Sequence, residues 1–160
     1  MPSYTHFQPA QIIRFSHWLM NHAEALRANL VRFEKIDSHH WCPLGAGAIA
    51  GNALGIDRDF IAKELGFLNG PSLNSINSTG SREAVMDFLY ASSSTFLSMS
   101  RLCEDFIIFS SPQFKFFFIG QEFCTGSSLM PQKQNPDALG NCLVKKNDTT
   151  DLIYFRAYPR

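Results

Sequence analysis

The sequence predicts an all-α fold, an elongated helical bundle, on three observations. Two segments of about 28 residues each, 9–36 and 81–110, repeat apolar residues at three- and four-residue steps, the mark of a helix with one apolar face. Pro9 and Pro112 stand at the outer ends of these segments, where a ring without an N–H is tolerated or stops the helix. No run alternates apolar and polar residues well enough for a strand, residues 114–119 excepted.

Each element follows from its residues. In the first segment Ile12, Ile13, Phe15, Leu19, Ala23, Leu26, Leu30 and Phe33 form the apolar stripe. A glycine-rich stretch, Pro43-Leu44-Gly45-Ala46-Gly47-Ala48-Ile49-Ala50-Gly51-Asn52, follows. It has neither the Gly-Lys-Ser/Thr ending of a phosphate loop nor a strand before it, so its small residues read as tight backbone passage between helices. Asp57 is placed to cap a short helix over 58–65, stopped by Gly66. The second long segment shows Val85, Phe88, Leu89, Phe96, Leu102, Phe106 and Ile107 on one side, with the small run Ala91-Ser92-Ser93-Ser94 in its middle. Helices of that length span ~42 Å at 1.5 Å per residue, more than a lone domain of this size needs. They predict a bundle that continues into other chains.

The chain has 160 residues with fourteen Lys+Arg against fourteen Asp+Glu and a pI near 6.9. That balance argues against a nucleic-acid or acidic-membrane partner. Charged residues make up 18% and phenylalanines number fifteen. Against a usual charged share of ~25%, this is a sparsely solvated surface, which again predicts buried interfaces. Cys42, Cys103, Cys124 and Cys142 are widely spaced without a Cys-x-x-Cys pair, which predicts reduced thiols, no zinc site and a cytoplasmic protein. No apolar run approaches ~18 residues, so no membrane span is expected, and the first ten residues show no basic-then-apolar signal pattern. His17 and His22 read as surface or packing residues on the first helix, and the pair His39-His40 has no further metal ligands near it in sequence.

Residues 124–137 carry the chemistry: Cys-Thr-Gly-Ser-Ser-Leu-Met-Pro-Gln-Lys-Gln-Asn-Pro-Asp. Gly126 with Ser127 and Ser128 makes a turn whose amides suit an anion, Lys133 adds a cation and Asn135 an amide donor. This is a carboxylate-binding loop with a serine of nucleophile or base grade, or else a polar surface loop.

The wording GSSLMPQKQNP resembles the signature loop of the fumarase/aspartase superfamily, GSSxMPxKxNP. Tyr4-Thr5-His6-Phe7-Gln8-Pro9-Ala10-Gln11 is similar to the YTHLQ segment of the argininosuccinate lyase family, whose avian relatives include the delta crystallins. Ser16-His17-Trp18, the stretch 43–52, Gly55-Ile56-Asp57-Arg58, Leu73-Asn74-Ser75 and Arg82 fall where that family has the same or similar residues. The likeness runs from Met1 to about Asp137, giving a partial central helical domain over 1–140 and a divergent tail over 141–160.

The resemblance implies β-elimination of argininosuccinate to arginine and fumarate, with no metal and no organic cofactor, as in arginine biosynthesis and the urea cycle. It implies His6 and Ser127 as the acid–base pair, with their two roles open between them. It places Lys133 and Asn135 on the succinyl carboxylate, with Thr5, Gln8 and Ser128 adding hydrogen bonds. Arg82 is left between a substrate contact and a solvated helix face. It further implies a homotetramer, each active site assembled from three chains, or co-assembly with a full-length lyase subunit.

Three departures qualify this. The acidic residue that pairs with the family's histidine is Gly140 here. Ser81 and Asn77 replace two further acids. The segments that flank this region in the family, among them one active-site segment, are not matched. The expectation is a shortened lyase-type chain of impaired activity. The alternative is a non-catalytic structural or partner subunit, crystallin-like or a truncated remnant. Another lyase of the superfamily is the weaker third reading, because Gln132 and the YTHFQ wording fit argininosuccinate lyase better.

Overall fold

The first helix does not begin at Pro9. In the computed structural model, which describes residues 1–141, the chain opens with an antiparallel ribbon of β1 (Pro2–Thr5) and β2 (Gln8–Ile12), and α1 covers Phe15–His39. Short α2 (Arg58–Glu64) and α3 (Ser75–Gly80) follow, then α4 (Glu83–Ser110), a 3-10 turn at Gln121–Phe123, and a second ribbon of β3 (Thr125–Gly126) and β4 (Gln134–Asn135). The fold is a helical domain carrying two small ribbons, so the all-α expectation is corrected at both. Two compact units divide it, Met1–Ala28 with Ser92 onward, and Asn29–Ala91. The tail expected over 141–160 lies, from residue 142 on, outside the described residues.

In the first unit, the amino terminus donates to the Ile13 carbonyl (2.8 Å) and the Ile13 amide donates to Met1 (2.9 Å), so residues that could start a helix are drawn into pairing instead. Proline is tolerated because a two-stranded ribbon has a free edge for the missing N–H. Tyr4 pairs with Pro9 and Thr5 with Gln8, which leaves His6-Phe7 as the two-residue turn. Both turn residues have positive φ, 53° and 59°, as the primed hairpin turns require. Histidine visits that region more readily than most side chains, but a phenylalanine there is strained.

Six of the fifteen phenylalanines gather around the end of α4. Trp18 packs within 5.5–5.7 Å of Phe15, Phe106, Phe109 and Phe117, and Phe109 in turn meets Phe114 and Phe116. Residues 114–119 are therefore not the strand their alternation allowed. A turn with Lys115 at φ 53° folds them back so that the Phe116 amide donates to Phe109 (2.8 Å). Tyr4 sits edge-on to Phe114 at 5.0 Å, and that ring contact seats the first ribbon on this cluster. Beneath it, Asp105 Oδ2 accepts from Trp18 Nε1 (2.9 Å) and lies 3.1 Å from Nε2 of buried His22. An ionised carboxylate can only accept, so the His22 Nε2 carries the hydrogen.

In the second unit, strand-like bonds tie Cys42 to Gly70 and Ser72 (2.9 Å each), and Cys42 is fully buried. Arg58 clamps two loops by donating to the carbonyls of Leu44 (3.3 Å) and Ser72 (2.7 Å). Asp57 caps α2 as expected, accepting from the Phe60 amide (2.9 Å), and Gly66 at φ 79° ends it. In the glycine-rich stretch, a Cβ on Gly47 would run into the Gly51 carbonyl, the close backbone passage its composition implied. Asn74 caps α3, which periodicity did not suggest, by accepting from Asn77 (2.9 Å). The Ser81 hydroxyl accepts from the Glu83 amide (3.2 Å) and caps α4.

The apolar stripe of α1 is also rotated from expectation. Trp18, His22 and Asn29 are buried, whereas Leu19, Leu26 and Leu30 are exposed. On α4 the buried residues are Ala91, Ser100 and Cys103, while Val85, Met86, Phe88 and Leu97 lie open. Each unit thus leaves apolar helix surface uncovered.

A candidate active-site loop on the second ribbon

Thr125 pairs with Asn135 and Gly126 with Gln134, so the second ribbon presents residues 127–133 as one loop between its strands. The Thr125 hydroxyl bonds the Asp137 carboxylate across the base of this loop. Asp137 opens a helical run over 137–141, anchored where the amides of Leu139 and Gly140 donate to Pro136 (3.0 Å each). Two prolines, Pro131 and Pro136, limit what the backbone can do between these points.

Half-buried Ser127 turns its hydroxyl back into the loop. Its Oγ accepts from the Leu129 amide (3.2 Å) and the Met130 amide (3.1 Å). Such bonds are first of all the way a serine holds a tight turn. They also have a chemical consequence, since two N–H donors on one hydroxyl oxygen favour its deprotonated form over the neutral one. Lys133, held by its amide donating to Met130 (3.1 Å), keeps its side chain exposed, as does Ser128, and Asn135 is half-buried on β4. The loop therefore gathers a polarised hydroxyl, a cation and an amide, the set an anionic carboxylate needs. A cleft of about 160 Å³ lies beside the ribbon, lined by Ser110, Phe117, Cys124, Gln134 and Pro136 among others. Its mixed lining provides no convergent charges.

Thr5, His6 and Gln8 gather on the first ribbon, all exposed, with His6 at the tip of the strained turn. Among the described residues no hydrogen bond, ion pair or ring contact joins this group to Ser127, Ser128, Lys133 or Asn135. Within one chain the expected site residues stand on two different ribbons. Arg82 belongs to the other unit, where its Nη1 donates to the carbonyls of Thr79, Gly80 and Ser81 (2.8–3.2 Å) and closes the end of α3. That is a structural task which neither of the two earlier readings contained. Thr125 and Asp137 were missed as loop clamps; their spacing on either side of the motif was the available signal. Among the described residues there is no group of three or more potential metal ligands.

Comparison with known proteins bears directly on this loop. A family described as lyase matches residues 1–147. A curated relative from Schizosaccharomyces pombe, named probable argininosuccinate lyase, is 47% identical over 87% of this chain and 30% of its own length. The solved structure of EDDS lyase in complex with formate is 31% identical, with a TM-score of 0.87 over 94% of this chain and 30% of that one. A class II fumarase from Schistosoma mansoni shares the fold at a TM-score of 0.75 and 17% identity. The chain spans about 30% of the length of the curated relatives it matches.

Proposed function

The chain belongs to the lyase family, and from that premise we propose that it carries two half-sites for the β-elimination of argininosuccinate to arginine and fumarate. The observation that carries this reading is Ser127, whose Oγ takes two backbone amides on the same loop that presents Lys133 and Asn135. The relative's name supplies the substrate.

In the proposed reaction a base removes the proton from the carbon beside a succinyl carboxylate. The electron pair moves into that carboxylate, which becomes a dianion, and Lys133 and Asn135 offset the added charge. The pair then forms the C=C bond as the C–N bond breaks, and a general acid protonates the departing nitrogen. Ser127 and His6 are the acid–base pair. The amides on Ser127 Oγ make it the better candidate for the group that must bear negative charge. Thr5, Gln8 and Ser128 supply further hydrogen bonds to substrate.

His6 and Ser127 share no hydrogen bond within one chain, and by the family resemblance a whole site combines a His6 ribbon and a Ser127 loop from different copies, or from a co-assembled lyase subunit. The uncovered apolar surfaces of α1 and α4 favour such assembly. No helix of the described residues is long and apolar enough to cross a membrane. With Gly140 in place of an acidic partner for His6, turnover by this chain is expected to be weak. Fumarate release from argininosuccinate, followed by its ultraviolet absorbance, tests the reading. Turnover that drops at least ~100-fold in Ser127→Ala supports it, and turnover unaffected by that change refutes the role of Ser127.

A further inference from the structure

Two turns in the first unit hold side-chain-bearing residues in the left-handed region. One is the His6-Phe7 tip of the first ribbon (φ 53° and 59°), the other Lys115 (φ 53°) in the fold-back after α4. They meet through one ring. Tyr4, on the strand that leads to the tip, lies 5.0 Å from Phe114 and 6.2 Å from Phe116, the neighbours of Lys115 on either side. Those two rings are themselves 5.8 Å apart. We propose that Tyr4 is a positioning residue for His6: its ring, seated on Phe114 and Phe116, fixes where the ribbon presents the imidazole. The proposal rests on the reading of His6 as one of the acid–base pair.

A two-stranded ribbon is marginal in water by itself, and a positive φ on a residue other than glycine persists only where the surroundings impose it. Ladder bonds alone do not impose it here. Thr5 and Gln8 form the pair that closes the turn. Bonded and non-bonded pairs alternate in an antiparallel ladder, so the next pair, Tyr4 with Pro9, is of the non-bonded kind. The register then shifts between Tyr4 and Pro2, which ends the regular ladder. Further out the ribbon is held between Met1 and Ile13, at the end away from the tip. What remains near the tip is the Tyr4 ring.

Side chains alternate along a strand, so Tyr4 takes the face that meets the aromatic cluster and Thr5 takes the other. Thr5 and its partner Gln8 are both exposed. One face anchors the ribbon and the other is left to substrate. The platform under Tyr4 is pinned in turn. The Lys115 amide donates to Ser111 (2.9 Å), the Phe116 amide to Phe109 (2.8 Å), and the Phe109 ring lies 6.0 Å from Phe114 and 5.3 Å from Phe116.

The test compares the isotope-labelled chain with Tyr4→Leu, Tyr4→Phe and Phe114→Leu. It reads the amide heteronuclear NOE at His6 and Phe7 and, separately, fumarate release from argininosuccinate. Tyr4→Leu should drop both NOE values to those of a loose chain end. It should also lower kcat about tenfold, more than it raises KM, because a misplaced acid–base group slows the chemical step. Tyr4→Phe keeps the ring and should restore both readouts. The indole N–H signal of Trp18, bonded to Asp105, should stay in place throughout and report an intact fold. Phe114→Leu should reproduce the Tyr4→Leu effects from the other side of the contact, and it decides the question should Tyr4→Leu unfold. The double variant should be no worse than either single one. A tip that stays ordered in the folded leucine variants, a Tyr4→Phe as damaging as Tyr4→Leu, or a raised KM with kcat unchanged overturns the proposal. Absence of turnover in the unsubstituted chain refutes instead the lyase reading, and order at the tip then decides the role of Tyr4.

Discussion

Asp105 shows how much one carboxylate organises here. It accepts from Trp18 Nε1 and from His22 Nε2, both on buried side chains, so removing it strands two donors that water cannot easily reach. Asp105→Ala should lower unfolding free energy by about 2–3 kcal/mol in urea titrations, and Asp105→Asn by less, since its carbonyl still accepts. Equal losses would mean that charge and not acceptor count matters. Gly140 is the opposite case. A Cβ built there meets nothing within 4 Å, so a side chain fits. Gly140→Glu should stabilise the helical run by about 0.5–1 kcal/mol through propensity alone. It should also raise fumarate release if an acid at this position pairs with His6 of an assembled site. A stability gain with no change in rate would separate the two effects. His22 was legible only as a packing residue, because nothing in sequence ties position 22 to position 105.

At the scale of elements, the caps were plain. Asp57 and Gly66 bound α2 as their residue types dictate, and α4 starts and stops within two residues of expectation. The first ribbon was not, because residues 9–12 satisfy both a helix start and a strand. What decides is pairing with residues 1–5 and the seating of Tyr4 on Phe114, the second a contact more than a hundred residues apart in sequence. Glycines in the 43–52 stretch give a graded test. Gly47 has φ 69° and no room for a Cβ, whereas Gly51 has φ 81° and open space. Gly51→Ala should cost about 1–2 kcal/mol from left-handed strain alone, and Gly47→Ala clearly more. Hydrogen exchange of the amides between 45 and 52 should accelerate in the same order; the reverse order would mean the passage relaxes around a methyl group.

Among the described residues, the buried side chains are few and mostly small, while Leu19, Leu26, Leu30, Met86 and Phe88 remain open on the long helices. A chain in this condition is expected to associate. Sedimentation should give a species several times 18.0 kDa, and Leu26→Asp with Leu30→Asp should move it toward the monomer while helix content stays. A monomer that keeps its exposed leucines without binding a hydrophobic dye would contradict the assembly on which the paired half-sites depend. On α1, Leu19, Leu26 and Leu30 of the stripe read from spacing stay open, because periodicity marks an amphipathic helix without saying which partner covers which face.

By itself, the sequence determined the helical class, the caps of α2, the tight glycine passage and the loop of Ser127, Lys133 and Asn135, all set by neighbours within a few residues. Only the tertiary structure decided the two ribbons, the strained tip at His6, the fold-back of residues 114–119, the Trp18–His22–Asp105 cluster and the structural use of Arg82. Each of these rests on a contact or a backbone geometry that competes with an equally good local alternative. Composition and periodicity cannot rank such alternatives; packing energy does.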